Sequence, residues 1–331
     1  MNKKQAIVAI GDIHGYQYEH VSLLRKIRQQ YDIAQLIYLG DLIDRGPWVR
    51  WVLRDVRDKI VSGQNVVVLK GNHEDELLSW CNFETEAEKP TSHEIMSARF
   101  WLRNGGNATV KSFFKERYTH QELKDVLRAY KPLWDAMKYY HVQEIAGKTF
   151  VFSHSGGDPH TIDRILDGTE LVDFDFEDLM YSRDRYIHGP GTDRDNVFVV
   201  YGHTPTYYAA DNDGMKPLVI WNDAHISADI DIDTGCYTGK ALSALIIDAE
   251  TGEFETVSFP YTEPPTEKEM NSEEYSDYHD WWIDECLISA NEQMKKGATN
   301  GKETLSQKLM RELAEEAEKG EAEKGGQNED E

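Results

Sequence analysis

Three short apolar runs, each stopping at a glycine, occupy the first 71 residues and constrain the fold more than any other feature. They are Ala6-Ile7-Val8-Ala9-Ile10 before Gly11, Leu36-Ile37-Tyr38-Leu39 before Gly40, and Val66-Val67-Val68-Leu69 shortly before Gly71. Short β-branched runs of this kind suit strands buried on both faces of a parallel sheet. Between them Val21, Leu24 and Ile27, and then Val49, Val52-Leu53 and Val56, recur at helical spacing. The order is βαβαβ, with right-handed crossovers. Further strand-like runs stand at 149–152, 197–200, 217–220 and 241–247, enough for a second sheet packed on the first. Residues 75–140, rich in Glu, Lys, Leu and aromatic side chains, predict a mostly helical insertion.

Where these runs stop, polar motifs begin. In chain order they are Gly11-Asp12-Ile13-His14-Gly15, Gly40-Asp41-Leu42-Ile43-Asp44-Arg45-Gly46, Gly71-Asn72-His73-Glu74, Ser153-His154-Ser155-Gly156 and Gly202-His203-Thr204-Pro205. Any one of them alone would be an ordinary turn. In series, at the carboxyl ends of strands where open α/β folds bind ligands, they supply carboxylate, amide and imidazole donors together. In Asp12-Ile13-His14 an extended backbone would point both polar side chains the same way and Ile13 into the core.

The donor set suits two divalent ions about 3.5–4 Å apart, a pair that clamps phosphate and lowers the pKa of a shared water. Asp12, His14 and Asp41 are assigned to one ion, and Asp41, Asn72, His154 and His203 to the other, with Asp41 bridging. Mixed oxygen and nitrogen donors favour Mn2+, with Fe, Zn or Mg as alternatives. The hydroxide between the ions would attack phosphorus in line with the leaving oxygen. His73, beside a ligand but outside the set, is assigned as the general acid, with Asp44 fixing its tautomer. Arg45 offers a planar fork for phosphate oxygens. Arg183, in Leu179-Met180-Tyr181-Ser182-Arg183, is the candidate second arginine, and Asn72 completes the phosphate-binding set.

These motifs resemble, in order, the GDxHG, GDxxDRG, GNHE, later His and GHTP signature of the phosphoprotein phosphatase family and its bacterial, phage and diadenosine-tetraphosphatase relatives. The match covers roughly residues 6–250. It implies an α/β fold, the calcineurin-like metallophosphoesterase β-sandwich flanked by helices, with a dinuclear metal centre at one edge. The Arg183 segment resembles the Leu-x-Trp-x-Arg of bacterial members, with Tyr181 in place of Trp. Ile232-Asp233-Thr234-Gly235-Cys236 resembles a further family segment near the site, without a catalytic role for Asp233. Ser155 and Trp48-Val49 depart from the pattern and remove no ligand. The leading expectation is a Ser/Thr phosphoprotein phosphatase. The alternative is a dinucleoside polyphosphate (diadenosine tetraphosphate) hydrolase. A rival from another class is a catalytically silent module that binds phospho-ligands.

The remainder of the sequence bounds the partners. A net charge of −24, from 60 acidic and 36 basic residues, repels polyanions, so no nucleic acid is expected. Phosphoproteins or phosphorylated small molecules fit better. Three widely spaced cysteines, Cys81, Cys236 and Cys286, suit a reducing cytoplasm, and no apolar run is long enough for a membrane span. The expected organisation is a catalytic domain over 1–262 with its insertion at about 75–140. An acidic C-terminal extension over 263–331 follows, partly helical and disordered at its end.

Overall fold

The computed structural model describes residues 3–81, 91–114, 117–183, 185 and 194–263. The expectations for 264–331, the acidic tail and its helix, lie outside the described residues. The described residues 3–57 and 65–263 form one compact unit.

The expected βαβαβ start is present. β1 (Lys4–Ile10), α1 (Gln17–Arg28), β2 (Tyr31–Tyr38), α2 (Val49–Val61) and β3 (Val66–Leu69) follow in order, with β1 parallel to β2 and β2 parallel to β3. β2 begins earlier than its apolar run because Tyr31 to Gln35 are only partly buried and carry mixed polarity. Helices α3 (Asn72–Trp80), α4 (Ser92–Trp101), α5 (Asn107–Phe113), α6 (His120–Arg128) and α7 (Lys131–Ala136) form the insertion, with a kink at Gly105 between α4 and α5. The insertion ends at Ala136 rather than near 140, because β4 (Met137–Lys138) pairs in parallel with β3.

The rest of the chain adds β5 (Tyr140–Ile145), β6 (Lys148–Ser153), α8 (Pro159–Leu166), α9 (Asp173–Tyr181) and β7 (Val197–Tyr201). β8 (Leu218–Trp221), β9 (Ala228–Asp231), β10 (Ala241–Asp248) and β11 (Phe254–Pro260) complete it. One sheet runs β11-β10-β1-β2-β3-β4 and the other β5-β6-β7-β9-β8. Their facing side chains make one core: Ile7, Ile37, Leu39 and Val67 from the first meet Phe150, Phe152, Phe198 and Ile230 from the second. A second cluster lies on the outer face of the second sheet, where Ile162 and Ile165 of α8 and Leu179 of α9 cover Val151, Val197 and Val199. Each such aliphatic side chain contributes about 1.5–3 kcal/mol when removed from water. No helix among the described residues is long and apolar enough to cross a membrane.

β9 carries charge into this core. Asp229 is buried and receives both hydrogen bonds of a fork from Arg185 Nη1, at 2.7 and 2.8 Å, while Arg185 Nε donates to the Gly156 carbonyl at 2.9 Å. Removing one partner of a fully buried pair leaves an uncompensated charge. Asp229→Asn should therefore cost on the order of 3 kcal/mol in chemical denaturation. A change within 0.5 kcal/mol would show the pair to be dispensable.

Candidate metal centre and active site

β1, β2, β3, β6 and β7 all end at one rim, and the five motifs follow directly. Hydrogen bonds tie neighbouring motif loops together there, and one set, from His203 N to Asp12, crosses between the two sheets. His14 N donates to the Asp41 carbonyl at 2.8 Å, Gly202 N to the His154 carbonyl at 2.8 Å, and His203 N reaches both Asp12 oxygens at 3.2 Å. His14, Asp41, Asp44, Arg45 and His203 all have positive φ, between 46° and 70°. Such backbone costs roughly 1–2 kcal/mol per residue and persists only where the surroundings over-determine it. Here it corrects the extended reading of Asp12-Ile13-His14: the strand has ended at Ile10, and a left-handed turn at His14 aims the imidazole. Ile13 is buried as expected.

Two tight groups of donor atoms share Asp41. The first is His14, Asp41 and His73; the second is Asp41, His154 and His203. Opposite oxygens of Asp41 serve the two sides: Oδ2 lies 3.4 Å from His14 Nε2 and Oδ1 lies 3.4 Å from His154 Nε2. His14 Nδ1 donates to the Ile43 carbonyl at 2.8 Å and His154 Nδ1 to the Leu39 carbonyl at 2.9 Å, which puts the lone pair of each ring on Nε2. Asn72 Oδ1 completes the second group, 2.9 Å from His203 Nδ1 and 3.2 Å from His154 Nε2. Asp12 belongs to neither tight group; its carboxylate is held by His203 N. His73, expected to stand beside the donor set, enters the first group through Nε2, 3.8 Å from Asp41 Oδ2.

The local electrostatics fit divalent cations. Burial lowers the pKa of His14, His154 and His203, so all three are neutral lone-pair donors near pH 7. Burial and then the Asp233 and Asp41 carboxylates push Asp12 well above its ordinary range, and burial lifts Asp233 to about 7. Asp41 goes the other way: burial would raise it, but His154, His73, His14 and Arg45 together hold it low. Burial would lower His73 too, yet Asp41 and the hydrogen bond to Asp44 raise it. Asp231 Oδ2, Asp233 Oδ2 and His73 Nε2 are buried without a hydrogen-bond partner. So much inward carboxylate beside neutral imidazoles is the environment that positive ions would balance.

His73 Nδ1 donates to Asp44 Oδ2 at 2.7 Å, the pairing read from the sequence. Arg45, half-buried, donates from Nη1 to His14 Nε2 at 2.9 Å, and its guanidinium lies 4.0 Å from the centre of the Tyr237 ring. Arg183 is exposed and donates from Nη1 to Thr204 Oγ1 at 2.7 Å. Both arginines line one cavity of about 570 Å³ together with Asp41, Asn72, His203, Tyr208 and Tyr237.

A family model for the calcineurin-like phosphoesterases matches residues 6–229. The chain belongs to this family. Membership makes it a metallophosphoesterase, which implies divalent metal ions at the site. Over 271 residues the chain is 25% identical to the bis(5'-nucleosyl)-tetraphosphatase PrpE of Halalkalibacterium halodurans, covering 77% of this chain and 94% of that protein. The protein of the same name from Oceanobacillus iheyensis is 26% identical over 253 residues, covering 71% and 86%. Among solved structures, a protein serine/threonine phosphatase from Saccharomyces cerevisiae aligns with a TM-score of 0.47 at 13% identity, over 80% of this chain and 82% of that one.

Several residues of this metallophosphoesterase site carry weight that the motifs did not reveal. Glu74 closes the N-terminus of α3, accepting from the backbone N–H of Asp41, Leu42, Ile43 and Gly71 at 2.8–3.2 Å, so one carboxylate ties two motif loops together. Its place three residues after the N-cap Gly71 gives half of a capping box, the Glu74 carboxylate taking the N-cap N–H while glycine has no side chain to return the bond. A Cβ on Gly71 would fall 2.1 Å from Asp41 Oδ1, so glycine is required there. Tyr237, beneath Arg45, had no sequence signal beyond its closeness to Asp233. Trp101, Asn104 and Thr109 lie in the insertion, outside every motif.

Proposed function

We propose that this metallophosphoesterase hydrolyses dinucleoside polyphosphates such as diadenosine tetraphosphate. The observation that carries the reading is the cavity. Its volume of about 570 Å³ admits more than a single phosphoryl group, and it combines Arg45 and Arg183 with the rings of Tyr208 and Tyr237. Guanidinium forks suit successive phosphates, and aromatic faces suit a base. The alignment over 94% and 86% of two proteins named bis(5'-nucleosyl)-tetraphosphatase supports the same substrate class.

In this reading Asp12, His14 and Asp41 hold one ion, and Asp41, Asn72, His154 and His203 the other, Mn2+ being the first choice over Fe, Zn or Mg. When bound, such ions supply positive charge to the phosphate oxygens and activate water. The rest falls to the chain. Arg45, braced by Tyr237 and His14, and Arg183, braced by Thr204, orient the phosphate, with Asn72 beside them. His73 carries a proton on Nε2, an atom buried without a partner, and delivers it to the leaving oxygen while Asp44 holds Nδ1–H. Work in a reducing cytoplasm agrees with Cys81 and Cys236 being free thiols.

A second reading is the Ser/Thr phosphoprotein phosphatase that the motifs alone favoured. Arg183 is exposed and Tyr208 is 60% exposed, so a phosphate displayed on another protein can reach the same centre. A Mn2+-supplemented panel of diadenosine tetraphosphate, phosphoserine and phosphothreonine peptides, and small phosphomonoesters separates the two. The highest kcat/KM is expected on the dinucleotide. A higher value on the phosphopeptides would put the second reading first.

A further inference from the structure

Asp44 and Arg45 form a left-handed step, at φ 70° and 66°, that the motif loop does not support by itself. Both of its backbone N–H groups are donated to the helical insertion: Asp44 N to Thr109 Oγ1 at 3.0 Å, and Arg45 N to the Gly105 carbonyl at 3.3 Å. The Asp44 carboxylate is also held from there. Thr109 Oγ1 donates to Oδ1 at 2.5 Å, and Trp101 Nε1 reaches Oδ1 and Oδ2 at 3.1 and 2.9 Å. Among the described residues, only the bond from His73 on α3 comes from outside the segment Trp101–Thr109.

The local backbone is shaped for this contact. Gly105 has φ 121°, and a Cβ on it would lie 2.9 Å from Arg45 Cγ and 3.3 Å from Asp44 Cβ. A Cβ on Gly106 would lie 2.5 Å from the Trp101 ring. Two consecutive glycines therefore let the chain kink between α4 and α5 and press on the Asp44–Arg45 step. Trp101 is buried and rests on Trp80, with ring centres 5.4 Å apart. Asn104 of the same turn donates to both oxygens of Glu76 on α3, the helix that carries His73.

We infer that the kinked turn Trp101–Thr109 positions the proton donor. Trp101 and Thr109 act through Asp44 to fix the His73 ring, and Gly105 and Asn104 hold the backbone on either side of the dyad. A carboxylate at 0% exposure needs its lone pairs met. With three donors in fixed directions Asp44 has one orientation, and so has the imidazole that donates to it. With His73 as its only donor, Asp44 could swing about its side-chain bonds and take the ring with it. The insertion is thus a structural part of the catalytic centre, which gives the segment a role the motif resemblance left open.

This inference rests on His73 as general acid, and the test separates the two claims. Thr109→Val removes one donor while keeping the side chain's shape, and Thr109→Ser restores it. Losing one charge-assisted bond that aligns the acid should lower kcat on an alkyl phosphate by about ten- to a hundredfold. On 4-nitrophenyl phosphate, whose leaving group needs little protonation, the loss should be small, with KM unchanged on both. Thr109→Ser should recover the alkyl rate. In metal-free protein the proton resonance of His73 Nδ1–H should move in Thr109→Val and return in Thr109→Ser. Trp101→Phe, which keeps the ring and deletes the N–H, should repeat the pattern if Thr109→Val folds poorly by thermal unfolding. Equal losses on both leaving groups, or no loss in a folded variant, overturn the positioning role. If His73→Asn distinguishes the leaving groups and Thr109→Val does not, only the positioning claim falls. If His73→Asn does not distinguish them, the acid assignment falls and takes this inference with it.

Discussion

His73→Asn should lower kcat by roughly 10²–10⁴-fold on substrates with poor leaving groups, the usual contribution of a positioned acid. The imidazole is the group at the site best placed for proton delivery. Its Nδ1 is committed to Asp44 at 2.7 Å, its Nε2 is buried without a partner, and the neighbouring Asp41 and Asp44 raise its pKa against the effect of burial. Asparagine keeps a polar side chain at the start of α3 but cannot transfer a proton. The loss should shrink on aryl phosphates, and KM should move little, because Arg45 and Arg183 remain. Rates on alkyl and aryl substrates in the same metal-replete preparation give the answer, and an equal loss on both would remove the acid role.

Asp41→Asn should have an effect of the same order or larger, about 10³-fold or more in kcat/KM. Bridging two divalent ions is a charge effect of several kcal/mol, and each 1.36 kcal/mol is tenfold. Asp41 stands in both donor groups, with one oxygen toward His14 and the other toward His154, and its Oδ1 also accepts from His73 N at 3.1 Å. An amide replaces one of these oxygens by a donor, so one group loses its acceptor and the pair loses the shared negative charge. Calorimetric titration with Mn2+ should show weakened binding of at least one ion per chain. Native affinity and stoichiometry in the variant would show that Asp41 is not the bridge.

Much of this site's geometry was legible because the motif residues stand at the loop ends that meet there. The expected donors gather at one rim because the apolar runs β1, β2, β3, β6 and β7 all stop there, whereas Arg183 reaches the cavity from the segment after α9. The membership drawn from the same motifs agrees with the family match over residues 6–229. What escaped the sequence depends on tertiary neighbours. β9 hides behind Asp229 and Asp231, polar residues that enter a core because Arg185 meets one of them. β5 and β11 are partly exposed edge strands with little apolar signal, and β4 is two residues long. The left-handed turn at His14 follows from contacts with the loop after β2, which no local spacing encodes. The holding of Asp44 by Trp101 and Thr109 joins residues 57 and 65 positions apart, and the Gly105-Gly106 break inside a helical segment was its one visible trace.

The most direct test of metal-dependent phosphoester hydrolysis at the Asp41 centre is a chelation and reconstitution titration followed by phosphate release from diadenosine tetraphosphate and from 4-nitrophenyl phosphate. Activity should vanish on removal of metal and return as Mn2+ is added, levelling off at two equivalents per chain. Activity that survives chelation, or a metal-replete protein that hydrolyses neither substrate nor any phosphopeptide, would contradict it.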